Sequence, residues 1–200
     1  MADDVLGDAL PLPVLSDEMR QRLATRRSAP AQSLAAPGPS EAELDEILTL
    51  GARTPDHGKL FPWRFVVLSH QARGRIAERL APMAARQTDP GKAAKVLMKL
   101  TAPPVTVLVV STPVVGHKVP VWEQQLSAGA ACMNIEHAAN AFGYSASWIT
   151  DWYSYDPEAV AMFGVDEGEQ IAGFIHLGTL AEPPLERPRP EMASKVEVFD

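Results

Sequence analysis

Val105-Thr-Val-Leu-Val-Val-Ser111, closed off by Pro103-Pro104 in front and Pro113 behind, is the stretch that sets the architecture. An almost unbroken apolar run of this length cannot alternate between core and solvent, so it reads as a central strand covered on both faces. The flanking sequence supplies candidates for the covers. Downstream, Trp122–Phe142 is the longest helical pattern, and Ser127, Ala128, Gly129, Ala130, Ala131, Ala138, Ala139 and Ala141 give it small side chains that let another backbone approach; Gly143 ends it. Upstream, Ser40 and Glu43 form a capping box for a helix whose Leu44, Ile47, Leu48 and Gly51 share one face.

Working outward, further strands read at Trp63–Leu68, Ser145–Thr150 and Gln170–Leu177. Helices read after Ser16, at Gln71–Ala85 and Ala93–Leu100, and from Asp156-Pro157 to Gly164. The chain is therefore an alternation of helices and strands, and at 200 residues one domain over 1–200 is the expectation. Residues 1–15 read as a flexible arm, Ala29–Pro39 as an irregular crossing segment and 180–200 as an extended, proline-rich arm. Lys195-Val-Glu-Val-Phe199 has period two and no hairpin partner, so it is either a strand exchanged into another subunit's sheet or a loose tail.

Composition narrows the function. A net charge of -7 disfavours nucleic acid as a partner. One cysteine, Cys132, in an apolar stretch allows neither an intrachain disulfide nor a cysteine metal cluster. An acidic, proline-broken N-terminus and the lack of any run of about 18 apolar residues lead to the expectation of a cytoplasmic protein without membrane contact. No Gly-rich dinucleotide fingerprint, phosphate loop, HExxH pair or Gly-x-Ser-x-Gly elbow is present, and His57, His70, His117, His137 and His176 are scattered. Chemistry carried by a cofactor remains.

Two segments carry donors suited to that. Arg26-Arg27-Ser28, with Arg20 and Arg22 upstream, offers two guanidinium forks and a hydroxyl to a phosphate monoester. Taken alone it reads as a solvated basic helix end favoured by the dipole. The second segment, Arg53-Thr-Pro-Asp-His-Gly-Lys-Leu-Phe-Pro-Trp-Arg-Phe65, is a donor-rich loop between a capped helix and a strand. Asp56 and Gly58 there also suit a plain turn, with Trp63 in the core. His117 and Lys118 are accounted for by helix entry, although Lys118 is also placed to meet a nicotinamide phosphate.

The ordered set RRS at 26–28, ARTPDHGKLFPWRFVV at 52–67, HKVPVWEQQLSAGAA at 117–131, AFGYSASWIT at 141–150 and IAGFIHLGT at 171–179 resembles the nitroreductase family, in particular its small YdjA-like branch. The resemblance implies an α+β three-layer sandwich with a mixed, mainly antiparallel sheet flanked by helices. It also implies a homodimer with an exchanged C-terminal arm and shared FMN sites, and hydride transfer from NADH or NADPH through FMN to a nitroaromatic, quinone or similar small acceptor in ping-pong order. By the same resemblance Arg26, Arg27 and Ser28 hold the phosphate and ribityl portion, Arg53 and His57 reach the flavin from the partner subunit, and Trp148, Ile149 and Thr150 line the ring. Ala138, Ala139, Asn140, Ala141, Phe142 and Gly143 match a nicotinamide-associated segment, and Arg187 and Arg189 either approach the phosphate or solubilise a stiff linker. No side chain is assigned a catalytic role, since the flavin performs the transfer. The chain departs from the common pattern Pro-Ser-x-x-Asn-x-Gln-Pro-Trp by carrying Asp56, Lys59 and Phe61 at the serine, asparagine and glutamine positions, which loosens any expectation about nitro compounds. A flavin-storing or sensing protein, or a dehalogenating or flavin-degrading relative, is the alternative.

Overall fold

The structure, a computed structural model, describes residues 7–199. Its elements are α1 Asp17–Thr25, α2 Glu41–Gly51, β1 Trp63–Val67, α3 His70–Ala84, α4 Pro90–Lys95, α5 Met98–Thr101, β2 Val105–Ser111, α6 Val121–Ala141, β3 Ser145–Ile149, α7 Pro157–Met162 and β4 Gln170–Gly178, with short 3-10 turns between them. Local chemistry sets the helix starts. Ser16, Ser40, Ser69, Asp89 and Asp156 each accept a backbone N–H at an N-cap, and Ser40 and Glu43 complete the capping box. Asn140 and the left-handed Gly143 (φ 85°) close α6.

The strands pair in the order β1-β2-β4-β3, all antiparallel, so among the described residues the sheet has no parallel member. β2 is central and buried on both faces, as its unbroken apolar run requires. Leu108, Val110 and Phe174 point to one layer, where they pack with Leu80, Leu100, Tyr153 and Phe163 from α3, α5 and the 152–163 region. Val107, Val109, Ile175 and Leu177 point to the other, against Leu44 and Ile47 of α2 and Cys132, Ile135 and Ala139 of α6. The result is three layers around two hydrophobic clusters. A bulge between Val109 and Val110 leaves Ala172 without an opposite number and lets β4 keep both faces in register.

One feature departs from the sequence pattern, and two others are refined by the structure. The helix read at Ala93–Leu100 is two short helices, α4 and α5, interrupted at Val96 and Leu97. Carbonyls that follow, Leu100 O (2.5 Å), Pro103 O (2.7 Å) and Pro104 O (3.0 Å), are gathered by the fully buried Arg73, which also donates to Leu68 O (3.1 Å). The chain thus turns where a guanidinium can collect its backbone acceptors. The close approach to α6 comes from its neighbour, for a Cβ on Gly51 of α2 would lie 2.5 Å from Ile135 Cγ1. Lys195–Phe199 forms no ladder among the described residues, and Val196, Val198 and Phe199 are exposed there. Of the N-terminal arm, residues 1–6 lie outside the described residues, and 7–15 are exposed and without helix or strand.

Candidate functional site

The donor segments of the sequence dock on opposite flanks of α6. On one flank, Asn134 Nδ2 donates to Thr54 Oγ1 (2.8 Å), Ser127 Oγ to Pro55 O (2.9 Å), and His57 Nδ1 pairs with Glu123 Oε2 (2.8 Å). Residues 123, 127 and 134 form one stripe of the helix, which pins the loop entering β1 along it. Trp63 Nε1 adds a bond to Ser127 Oγ (3.2 Å). Within the loop the Asp56 carboxylate accepts from the amides of Leu60 (2.5 Å) and Phe61 (3.3 Å), holding left-handed backbone at Gly58, Lys59 and Phe61 (φ 93°, 56° and 48°). Two non-glycine residues in that region store strain, as ligand-facing loops often do. A cleft of about 350 Å³ opens between Pro55, Asp56, His57, Glu123, Leu126, Ser127 and Ala130.

The other flank carries the arginines. Arg26, which caps the C-terminus of α1, donates from Nη1 to Ser28 Oγ (3.3 Å) and lies 3.6 Å from Glu136 Oε2. Ala29 N bonds Ala146 O (2.8 Å), fastening this turn to β3. The C-terminal arm returns here: Arg27 Nε donates to Leu185 O (2.9 Å) and Arg189 Nη2 to Arg26 O (3.2 Å). Glu186 pairs with Arg189 at 2.9 Å and lies 4.0 Å from Arg27, and the amide of Arg187 donates to it. Its carboxyl is held below its ordinary value chiefly by that amide, with the two arginines adding to it. A cluster that already seats a carboxylate has the charge and donors for an anion.

Beneath the arginines stands Glu136, 2% exposed, whose Oε1 has no hydrogen-bond partner among the described residues. Burial raises its carboxyl pKa, opposed by Arg26 and by the backbone amide of Trp148. Trp148 donates Nε1–H to Ala172 O (3.1 Å), and its ring occupies the space that a Cβ on Gly173 would take, 2.1 Å from Nε1. Thr150 Oγ1 bonds Tyr155 Oη (2.9 Å) just beyond β3.

Arg26, Arg27, Ser28, Arg189 and the backbone of Arg187 are thus gathered at the β3 edge, whereas the loop that carries Arg53 and His57 docks on the other flank of α6. Residues two apart on a helix sit about 200° around it, so Asn134 and Glu136 face opposite ways, and Glu123 lies roughly 20 Å along the axis from Glu136. Three strand spacings of about 4.8 Å separate β1 from β3. Within one chain the two donor groups stand at opposite sheet edges.

The Ala138–Gly143 stretch does internal work. Ala138 and Ala139 are core, Phe142 packs against it, Asn140 Nδ2 donates to Tyr144 O (2.8 Å), the Asn140 carbonyl accepts from Arg22 (2.6 Å), and Gly143 supplies the helix stop. Ala141 alone lines a cleft, of about 290 Å³, with Met19, Arg22, Leu23 and His137. Cys132 is buried with its pKa pushed up to about 12 by desolvation, then by Glu136, so it supplies no thiolate at neutral pH. Among the described residues no trio of His, Cys, Asp or Glu is grouped to hold a metal ion, and no helix is long and apolar enough to cross a membrane.

Sequence reasoning passed over Glu136 and Gly173. The signal for the first was a lone acid in the Cys132–Ala139 stretch, where Asn134 and His137 are the other polar residues; the second had none, because its neighbour Trp148 lies on another strand.

Comparison with known proteins places these features in context. A model described as "Nitroreductase family" matches residues 23–179. Two bacterial relatives carry the name "Putative NAD(P)H nitroreductase". YdjA of Escherichia coli (strain K12) is 37% identical over 160 residues, covering 78% of this chain and 85% of its own. The protein from Haemophilus influenzae is 33% identical over 162 residues with the same coverage. Among solved structures, a nitroreductase-like family protein from Bacillus cereus superposes with TM-score 0.79 at 18% identity, covering 94% of this chain and 99% of its own. A nitroreductase with bound FMN from Bacteroides fragilis gives TM-score 0.72 at 21% identity, covering 92% and 100%.

Proposed function

The chain belongs to the nitroreductase family, and from that premise we propose that it is an FMN-dependent oxidoreductase that moves hydride from NADH or NADPH to a small acceptor such as a quinone or nitroaromatic. The observation that carries this reading is the meeting of Arg26, Arg27 and Ser28 with the Arg189-bearing arm around a carboxylate, above a buried acid with a spare acceptor oxygen. Those residues fit a phosphorylated polyol: guanidinium forks and a hydroxyl for the phosphate, an acceptor for the tail.

When bound, FMN supplies two-electron chemistry, loading from the nicotinamide and discharging to the acceptor in ping-pong order. The residues position and stabilise. Arg26, Arg27, Ser28 and Arg189 grip the phosphate, with Arg187 close by, and Trp148, Ile149 and Thr150 line the ring. No general base is required, so the work of the side chains is alignment and compensation of negative charge. Arg53 and His57 contribute from a second copy, which is why they stand away from the arginine cluster of their own chain. Support for a homodimer comes from the exposed apolar side of α1, Met19 and Leu23, and from the unpaired Val196–Phe199 segment.

The test is the visible spectrum of purified protein, before and after anaerobic NADH or NADPH. A yellow protein that bleaches supports the enzyme, and one that stays yellow supports flavin storage. A colourless preparation that takes up no FMN overturns the assignment. Arg26→Ala should weaken FMN binding by about 1.5–3 kcal/mol, the worth of a hydrogen bond to a charged group.

A further inference from the structure

We propose that Glu136 accepts a hydroxyl of the cofactor's ribityl tail, behind the arginine that takes the phosphate; the proposal rests on the FMN reading above. Glu136 is 2% exposed, yet one of its oxygens lacks a partner among the described residues. Buried acceptors are almost always satisfied, so an orphan of this kind marks a missing donor. The other oxygen lies 3.6 Å from Arg26, longer than a hydrogen bond, so the ion pair leaves acceptor capacity on that side too.

Position decides which donor is missing. Glu136 stands between Arg26, at the phosphate end, and the backbone amide of Trp148, at the ring end, so it faces the middle of a molecule that spans the two. A carboxylate repels a phosphate oxygen, and a flavin ring edge offers it a single N–H among several acceptors, but a polyol brings several O–H donors. Its own helix offers no good donor, since Cys132, one turn earlier, is a weak one and Gly129, two turns earlier, carries no side chain; the Trp148 amide and Arg26 leave part of the carboxylate's acceptor capacity unused.

The test compares three flavins by quenching of their fluorescence in flavin-free protein: FMN, riboflavin, which lacks the phosphate, and lumiflavin, which lacks the whole tail. For Glu136→Ala the preference for riboflavin over lumiflavin should fall about 10- to 100-fold, the scale of a charged hydrogen bond, while the preference for FMN over riboflavin changes little. Glu136→Gln, which keeps the shape and an acceptor, should fall between. Arg26→Ala is the reciprocal control, losing the FMN preference and keeping the riboflavin one. Ratios within one variant cancel any general loosening, and if Glu136→Ala fails to fold the glutamine variant carries the test. Equal weakening of all three flavins, or loss confined to the phosphate, overturns the proposal. Failure of the wild-type protein to bind any flavin would instead overturn the cofactor reading.

Discussion

Gly173→Ala should destabilise the protein through a single contact. The new methyl would lie 2.1 Å from Trp148 Nε1 and 2.3 Å from Cδ1, so the ring must leave its place on β4. Leaving breaks the bond from Nε1 to Ala172 O at 3.1 Å, worth about 0.5–1.5 kcal/mol, and overpacking adds about 1–3 kcal/mol. The total is about 2–4 kcal/mol, which in a chain of this length lowers the melting temperature by roughly 5–15 °C. The assay is a double-mutant cycle by denaturant and thermal unfolding of wild type, Gly173→Ala, Trp148→Ala and the pair. Once Trp148 is an alanine the clash is gone, and Gly173→Ala should then be neutral or stabilising by about 0.4–1 kcal/mol through the unfolded chain's lost entropy. A penalty below about 0.5 kcal/mol in the wild-type background, or an equal penalty in both backgrounds, would refute the reasoning.

Arg73→Met removes a donor set serving three buried carbonyls and one partly buried, and should cost at least about 4 kcal/mol, read as soluble yield and unfolding midpoint. Lys59→Gly relieves left-handed backbone at φ 56° and should raise stability by about 0.5–1 kcal/mol, measured by calorimetry. The pH dependence of flavin-free protein should expose Glu136. Burial raises its native pKa, so the native state holds the proton more tightly than the unfolded chain does; that contribution is full below the ordinary carboxylate value and is lost as pH rises through the native one. Glu136→Gln has no proton to lose, so unfolding curves should show the variant gaining on wild type as pH rises above the ordinary carboxylate value.

Much of the element list was legible because it rests on neighbours in the chain. The capping box at Ser40 and Glu43 and the Asp156-Pro157 start each need only a few consecutive residues, and each appears where the pattern put it. The continuous apolar run at Val105–Ser111 likewise required two covers, and α3, α5, α2 and α6 provide them. Beyond such short patterns the sequence was a weaker guide. Ala93–Leu100 has helical periodicity but divides in two at Val96 and Leu97, and the turn that follows gives its carbonyls to Arg73 of another element.

The candidate site divides along the same line. That Arg26-Arg27-Ser28 and the Arg53–Phe65 loop carry the donors was written in residue type and spacing, as was the choice of a cofactor over a covalent nucleophile. Which donors meet was settled by tertiary structure. The order β1-β2-β4-β3 sends the loop and the arginines to opposite edges, α6 keeps them on opposite flanks, and the returning arm brings Arg189 to Arg26. Periodicity and capping are properties of a few adjacent residues, whereas these meetings depend on strand register and helix crossing, which join residues more than a hundred positions apart, as Arg26 and Glu136 are.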